Sequence, residues 1–145
     1  MLTFLGRGSA FTDEQNSAYF IDGNNLVLID CPMSSFEKLN NREISNSDID
    51  LSAFDHVYVL VTHTHGDHIS GIGMLIDLLH FVLRTPITVI APSKEVETDL
   101  HLYFLRIEGC NEGPCDEVIY IAFHIREILR GLSSWDNGMV IRYFR

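Results

Sequence analysis

Three histidines and one aspartate fall within six consecutive residues, and side chains of these types could together hold metal ions. The four residues are His63, His65, Asp67 and His68. Imidazole nitrogens and carboxylate oxygens are ligands that suit Zn²⁺ and related divalent cations. Because residues two apart in an extended segment project to the same side, His63 and His65 can hold one ion. A bend at Gly66 then allows Asp67 and His68 to face a second one. The alternative, a solvated histidine-rich loop, would leave this spacing unexplained.

A buried strand followed by a helix would place these four side chains at the edge of a sheet. The run Val57–Val61 is short, apolar and rich in valine, which is typical of a buried strand. Apolar residues then recur at helical spacing from Ile69 to Leu83. The candidate ligands therefore lie on the loop after a strand, where the ligand sites of α/β folds concentrate. Two metals held there could share a hydroxide and bind the oxygens of a bond that is being hydrolysed.

The rest of the chain predicts further strands and helices around this unit. The turn composition of Asp22–Asn25, between two apolar runs, is typical of a β-hairpin. Gly6 and Gly8 predict a tight exit from the first strand, with a phosphate-binding loop as the alternative. His56 precedes the central strand, and we expect it at the surface or at a cap. We predict strands over Leu2–Leu5, Ser17–Asp22, Leu26–Asp30, Ile87–Ile90 and Met139–Phe144, helices over Ser34–Leu39 and Ser93–Ile107, and either structure in Glu117–Leu132.

The segment His63-Thr64-His65-Gly66-Asp67-His68 resembles the His-x-His-x-Asp-His signature of the metallo-β-lactamase fold hydrolases. The flanking residues, Leu-Val-Thr before it and Ile-Ser-Gly-Ile after it, are also similar to that family. The resemblance implies that His63 and His65 hold metal one. It implies that Asp67 and His68 hold metal two, and that Asp67 contributes to catalysis by positioning the nucleophile. Zn²⁺ is the expected metal at both positions, with Mn²⁺ or Fe²⁺ as alternatives.

The opening of the chain resembles the ribonuclease Z-like members of the same family. Gly8-Ser9-Ala10, Asn16-Ser17 and Leu28-Ile29-Asp30-Cys31 follow one another in a similar order. The resemblance implies that Asp30 lies near the metals and helps to orient their ligands. Carboxylates behind metal-bound histidines generally fix the imidazole tautomer in this way.

The resemblance is strong up to about residue 90 and weakens after it. Members of the family have a second αβ half that brings a further histidine, an aspartate bridging both metals and a last histidine. The later histidines here are His80, His101 and His124; none follows a convincing ligand motif, and His124 is the best of the three. We therefore predict an α/β fold, half of an αββα sandwich, with a mixed sheet and helices on one face. Residues 1–145 would form a single truncated domain.

Half of a sandwich would leave apolar surface uncovered. Such surface favours association between copies, so we expect a homodimer or pairing with a missing C-terminal half. The chain has 145 residues, of which 46% are hydrophobic and 21% charged, as in an ordinary folded soluble domain. Its most apolar region is interrupted by Asp77 and Arg84, so we predict no membrane span. The chain start lacks a signal-peptide pattern and three cysteines make no disulfide framework, which together predict a cytoplasmic protein.

Two functions from different classes are consistent with these residues. The first is a metal-dependent hydrolase that cleaves a phosphodiester or ester by means of metal-bound hydroxide, with a small molecule or a nucleic acid as substrate. The second is a catalytically incomplete metal-binding or interaction module, because four ligands divided between two metals hold neither fully. A nucleic-acid binder without catalysis is disfavoured, since the formal net charge of −10 opposes broad capture of nucleic acid.

Overall fold

The computed structural model describes residues 1–41, 49–106 and 119–122, which form one six-stranded sheet and the helices beside it. The strands are β1 (Thr3–Gly6), β2 (Ser17–Asp22), β3 (Asn25–Ile29), β4 (His56–Leu60), β5 (Ile87–Ala91) and β6 (Ile119–Ala122). The helices are α1 (Met33–Asn40), α2 (Gly66–Ile69), α3 (Ile72–Asp77) and α4 (Lys94–Arg106), with a 3₁₀ turn at Leu51–Ala53 and a π-helical segment at Leu78–Leu83. The strand predicted at Met139–Phe144 and the candidate ligand His124 lie outside the described residues, as does most of Glu117–Leu132.

The strands follow one another across the sheet in the order of the sequence. β1, β2 and β3 form an antiparallel meander, whereas β3, β4, β5 and β6 are all parallel. Every strand except β2 therefore runs in the same direction. The predicted mixed α/β sheet is confirmed, and the carboxyl ends of β1, β3, β4 and β5 share one edge, which we call the carboxyl edge.

The main hydrophobic core lies between one face of the sheet and the helices. Alternate strand residues face it, among them Leu26, Val57 and Val89, each with no exposed surface. The described helices contribute their buried residues to this same core, namely Phe36, Leu39, Ile72, Leu75, Ile76, Leu79, Leu100 and Phe104. Helices on one face of the sheet were predicted, and this is confirmed. The opposite face carries a smaller buried cluster of Val27, Tyr58 and Ile90.

The hairpin between β2 and β3 is confirmed, with Asp22 paired to Asn25 across the turn. Gly23 has a φ of +58°, a conformation that glycine adopts without the steric cost of a Cβ. At the other end of β2, the loop from β1 packs tightly on itself. A Cβ on Gly6 would lie 2.1 Å from the Gln15 carbonyl oxygen, and one on Gly8 would lie 1.9 Å from that of Glu14. Both positions require glycine because the backbone of the loop passes too close for a side chain, which is the tight strand exit that was predicted.

The outer strand β1 is irregular, and a lysine lies against it. Its register with β2 shifts between Phe4 and Gly6. The Lys38 ammonium donates to the Leu5 carbonyl oxygen at 2.6 Å and to the Glu14 carboxylate at 2.6 Å. Lys38 thus fixes α1, the start of the chain and the β1–β2 loop to one another.

The helical segment after the motif begins earlier than predicted and is interrupted. It starts at Gly66 rather than Ile69, breaks between α2 and α3, and ends at Leu83, followed by Arg84 with a φ of +58°. By length and composition alone, Gly66–Leu83 is the one described helix that could cross a membrane. Its inner face, however, is fully buried at Ile72, Leu75, Ile76 and Leu79, so core packing accounts for its apolar composition.

Candidate metal centre

Asp30 and the histidine motif meet at the carboxyl edge, where β3 and β4 end side by side. The Asp30 carboxylate is buried and accepts three hydrogen bonds. Oδ1 accepts from the Thr62 backbone N–H at 2.8 Å, and Oδ2 accepts from the Thr62 hydroxyl at 2.6 Å. Oδ2 also lies 2.7 Å from Nδ1 of His68. Because an ionised carboxylate only accepts, the His68 proton in this contact is on Nδ1, and Nε2 is left for another partner.

The backbone of Asp30 is held in a conformation that few residues adopt. Its φ is +56°, a left-handed value that aspartate tolerates better than most side chains do. The Asp30 N–H donates to the Leu60 carbonyl oxygen at 2.8 Å. The buried Ser17 hydroxyl donates to the Asp30 carbonyl oxygen at 2.9 Å. These two bonds hold the peptide groups on either side of Cα, so the carboxylate is aimed at β4 and the motif.

The two loops at this edge are also joined through their backbones. The Cys31 N–H donates to the His68 carbonyl oxygen at 2.9 Å, and the Gly71 N–H donates to the Cys31 carbonyl oxygen at 2.9 Å. A Cβ on Gly71 would lie 2.6 Å from the Pro32 carbonyl oxygen. The start of the helical segment therefore lies directly against the loop that follows β3, with no room for a side chain at Gly71. This contact fixes the position of the motif relative to Asp30.

The predicted ligands lie together on this loop, but they do not all converge. The ring of His63 lies 3.9 Å from that of His68 and 4.7 Å from that of His65, measured between centroids. Nε2 of His68 lies 3.4 Å from Oδ2 of Asp67. Two ligand atoms at about 2.1 Å from a tetrahedral Zn²⁺ are about 3.4 Å apart, so this pair has the spacing of two ligands of one ion. Within residues 1–41, 49–106 and 119–122, no three His, Cys, Asp or Glu side chains are grouped closely enough to hold one metal ion. The four-residue ligand set stays a prediction, and its donor types and the Asp67–His68 spacing fit zinc.

Cys31, next to Asp30, is a poor candidate for an additional ligand. The side chain is fully buried, and burial together with the Asp30 charge raises the pKa of its thiol to about 12. Metals bind the thiolate, and both burial and the Asp30 charge oppose its formation. Cys31 is therefore a core residue beneath the site.

The prediction that His56 lies at the surface or at a cap is wrong. His56 begins β4 at the opposite edge of the sheet, is half-buried, and stacks on Tyr58 with ring centroids 4.3 Å apart. Its Nε2 lies 2.8 Å from the Thr88 hydroxyl on the neighbouring strand. Burial lowers the pKa of His56. His80 and His101 lie in the π-helical segment and in α4, outside the motif loop.

Two residues of the network, Ser17 and Thr62, were not identified from the sequence as site residues. Both carry a hydroxyl at the carboxyl edge, Ser17 at the start of β2 and Thr62 after β4. Thr62 is also adjacent to the motif, and its hydroxyl lies 3.0 Å from Nδ1 of His63. A hydroxyl where an apolar strand meets a polar loop was the available signal, but hydroxyls there are commonly turn or cap residues.

Comparisons with known proteins place the chain in a family. The family model described as "Anti-Pycsar protein Apyc1" matches residues 1–142. The anti-Pycsar protein Apyc1 of Bacillus phage BSP38 is 37% identical over 102 residues, which are 67% of this chain and 37% of the relative. Ribonuclease Z of Aeropyrum pernix is 34% identical over 101 residues, which are 66% of this chain and 30% of the enzyme. The aligned region is thus about a third of the length of these curated relatives.

A solved structure shows the same fold. The metallo-β-lactamase fold protein YhfI of Bacillus subtilis superposes with a TM-score of 0.59 at 21% identity, over 84% of this chain and 44% of that protein. The predicted resemblance to roughly the N-terminal half of a ribonuclease Z-like protein is confirmed. The chain has the metallo-β-lactamase fold and belongs to the anti-Pycsar Apyc1 family.

Proposed function

We propose that this protein is a metal-dependent hydrolase that cleaves a phosphodiester or a related ester at the carboxyl edge of its sheet. The observation that carries the proposal is the buried Asp30 carboxylate, 2.7 Å from Nδ1 of His68, with Nε2 of that ring 3.4 Å from Asp67. In metal sites, a ligating histidine commonly donates one ring N–H to a carboxylate, as His68 does to Asp30, and its other ring nitrogen faces the metal.

In this proposal the four motif residues hold up to two Zn²⁺ ions. His63 and His65 would hold metal one, and Asp67 and His68 would hold metal two. When bound, the ions supply Lewis-acid activation of water and of the phosphoryl oxygens. The Asp67 carboxylate, which is partly exposed at 19%, would position the attacking water. Asp30 keeps the His68 ring in place, and the interlocked backbones of Cys31 and Gly71 keep the loop rigid while charge develops on the substrate.

For the biological role, we propose that the protein acts against the Pycsar system, as the name of its family states. The formal net charge of −10 favours a small phosphodiester over a long nucleic acid, whose capture needs clustered positive charge. The ribonuclease Z relative makes an RNA phosphodiester the competing substrate class. Turnover of a small phosphodiester and of an unstructured oligoribonucleotide, measured side by side, distinguishes the two.

The test of the proposed function combines metal content with turnover. Purified protein should retain zinc and hydrolyse bis(p-nitrophenyl) phosphate, and a chelator should abolish the activity. His65→Ala should lower turnover by at least about 100-fold, because it removes a metal ligand. His101→Ala, a histidine in α4, is the matched control and should retain activity. Equal turnover in the two variants would contradict the proposal.

A second function is favoured by one observation, namely that no three candidate ligands converge within the described part of the chain. The chain would then be a catalytically incomplete metal-binding or interaction module. Folded protein with neither zinc nor turnover would support this alternative over the hydrolase.

We further propose that the protein works as a homodimer, or together with a chain that supplies the other half of the fold. The proposal is supported by the aligned region being about a third of the curated relatives. Light scattering coupled to size exclusion would show a dimer mass at high protein concentration. A monomer across the whole concentration range would contradict the homodimer.

A further inference from the structure

Thr62 lies between the buried carboxylate and the first histidine of the motif. Its hydroxyl oxygen is 2.6 Å from Oδ2 of Asp30 and 3.0 Å from Nδ1 of His63. Its backbone N–H is bonded separately to Oδ1 of Asp30 at 2.8 Å. The hydroxyl thus has two hydrogen-bond partners but only one proton, so it can donate to one of them and must accept from the other.

The proton of the Thr62 hydroxyl belongs to the bond with Asp30. An ionised carboxylate can only accept, and an oxygen–oxygen distance of 2.6 Å is that of a charge-assisted hydrogen bond. The hydroxyl must then accept from His63, because it has no second proton to donate. Nδ1 of a neutral His63 therefore carries the ring proton, and Nε2 has the free lone pair.

We propose that Thr62 is a positioning residue that fixes the tautomer of His63, so that Nε2 is presented to the metal. Through this hydroxyl Asp30 acts on His63, and through a direct contact it acts on His68. One carboxylate would then orient one ligand of each metal position. This inference rests on the proposed function for the identity of the metal, but the tautomer itself is a property of the metal-free chain.

The chain supplies a matched comparison at the other edge of the sheet. There the Thr88 hydroxyl lies 2.8 Å from Nε2 of His56, a threonine–histidine pair on adjacent strands. Thr62→Val keeps the branched shape and the backbone bond to Asp30 but removes the hydroxyl. Thr62→Ser keeps the hydroxyl. Thr88→Val removes a threonine hydroxyl that contacts His56, a histidine outside the motif.

The first experiment determines histidine tautomers by long-range ¹H–¹⁵N correlation spectra of the metal-free, full-length protein. It is run well above the usual histidine pKa of about 6.5. His63 should be protonated mainly on Nδ1 in the wild type, in Thr62→Ser and in Thr88→Val. In Thr62→Val the Nε2-protonated form should increase. Protonation on Nε2 in the wild type, or identical spectra for wild type and Thr62→Val, would overturn the proposal.

The second experiment measures Zn²⁺ affinity by competition with a chromophoric chelator. Thr62→Val should bind Zn²⁺ about tenfold more weakly than the wild type. This is at the low end of the losses seen when a contact that orients a ligand is removed, because Thr62 and His63 are both exposed to solvent. Thr62→Ser and Thr88→Val should differ from wild type by less than about threefold. Unchanged affinity in Thr62→Val would overturn the link to the metal. Absence of zinc binding in every variant would count against the proposed function, and the metal-free spectra would still decide the role of Thr62.

Discussion

The two ends of β4 each carry histidine, and the structure uses them differently. At the amino end, His56 stacks on Tyr58 and contacts the Thr88 hydroxyl, which is neutral. At the carboxyl end, His68 contacts the Asp30 carboxylate, and His63 contacts it through Thr62. A hydroxyl can donate to or accept from an imidazole, whereas a carboxylate only accepts. Only the carboxyl end therefore fixes which ring nitrogen is free.

This difference shows why a histidine alone is weak support for a metal site. Burial at the amino end lowers the pKa of His56. The Thr88 hydroxyl that it contacts does not determine which ring nitrogen carries the proton. At the carboxyl end, the left-handed backbone of Asp30 and its bonds to Ser17 and Leu60 aim one charge at the motif loop. What distinguishes the candidate site is a positioned carboxylate behind the rings.

The largest effect is expected from Asp30→Asn, which keeps the size of the side chain but replaces an acceptor oxygen with a donor. The part-buried bonds from the Thr62 hydroxyl and His68 would lose their acceptor, so the free energy of unfolding should fall by about 1–3 kcal/mol. Zinc affinity should fall by about 100-fold, the upper end for such contacts. Urea denaturation of the metal-free protein and chelator competition measure the two losses.

Asp55→Asn is the control at the amino end. Asp55 is exposed, and its carboxylate accepts from the Asn24 amide at 3.2 Å. This variant should change stability by less than about 0.5 kcal/mol and leave zinc affinity unchanged. Similar losses in the two variants would mean that the carboxyl end is not special.

An intermediate effect is expected from Gly71→Ala, which tests the interlocked loops of the carboxyl end. The added methyl group would lie 2.6 Å from the Pro32 carbonyl oxygen and 2.9 Å from that of Cys31. We expect a loss of about 1–3 kcal/mol in unfolding free energy, as for overpacking, measured by urea denaturation. Gly66→Ala, where nothing lies within 4 Å of the new methyl, should be neutral or stabilise by up to about 1 kcal/mol. A neutral Gly71→Ala would contradict the tight contact.

The smallest effect is expected from His56→Gln, and it concerns pH. Because burial lowers the pKa of His56, the unfolded chain binds this proton more readily than the folded chain does. The wild type should lose stability as the pH falls below the usual histidine pKa of about 6.5, and the variant should lose less over that range. Unfolding midpoints between about pH 7.5 and 5 measure the difference. Zinc affinity at pH 7.5 should be unchanged, in contrast to Thr62→Val.

Much of the fold and part of the site were predictable because their signals are local. The apolar run before the motif and the turn around Gly23 each determine structure within a few residues. The position of Asp30 required resemblance to a family, since its contacts with Thr62 span 32 residues of sequence. Ser17 and Thr62 were missed because a hydroxyl shows its partner only once β2, β3 and β4 are adjacent. His56 was placed wrongly for the same reason, because Thr88 reaches it only through pairing of β4 with β5.

The irregular outer strand β1, with Lys38 bonded to it, affects whether strands of other molecules can pair with this sheet. An edge strand presents a row of unpaired backbone N–H and C=O groups, to which a strand of another chain can pair. Here an incoming segment would have to displace the Lys38 ammonium from the Leu5 carbonyl and follow a kinked ladder. Addition of a foreign strand along β1 is thereby disfavoured.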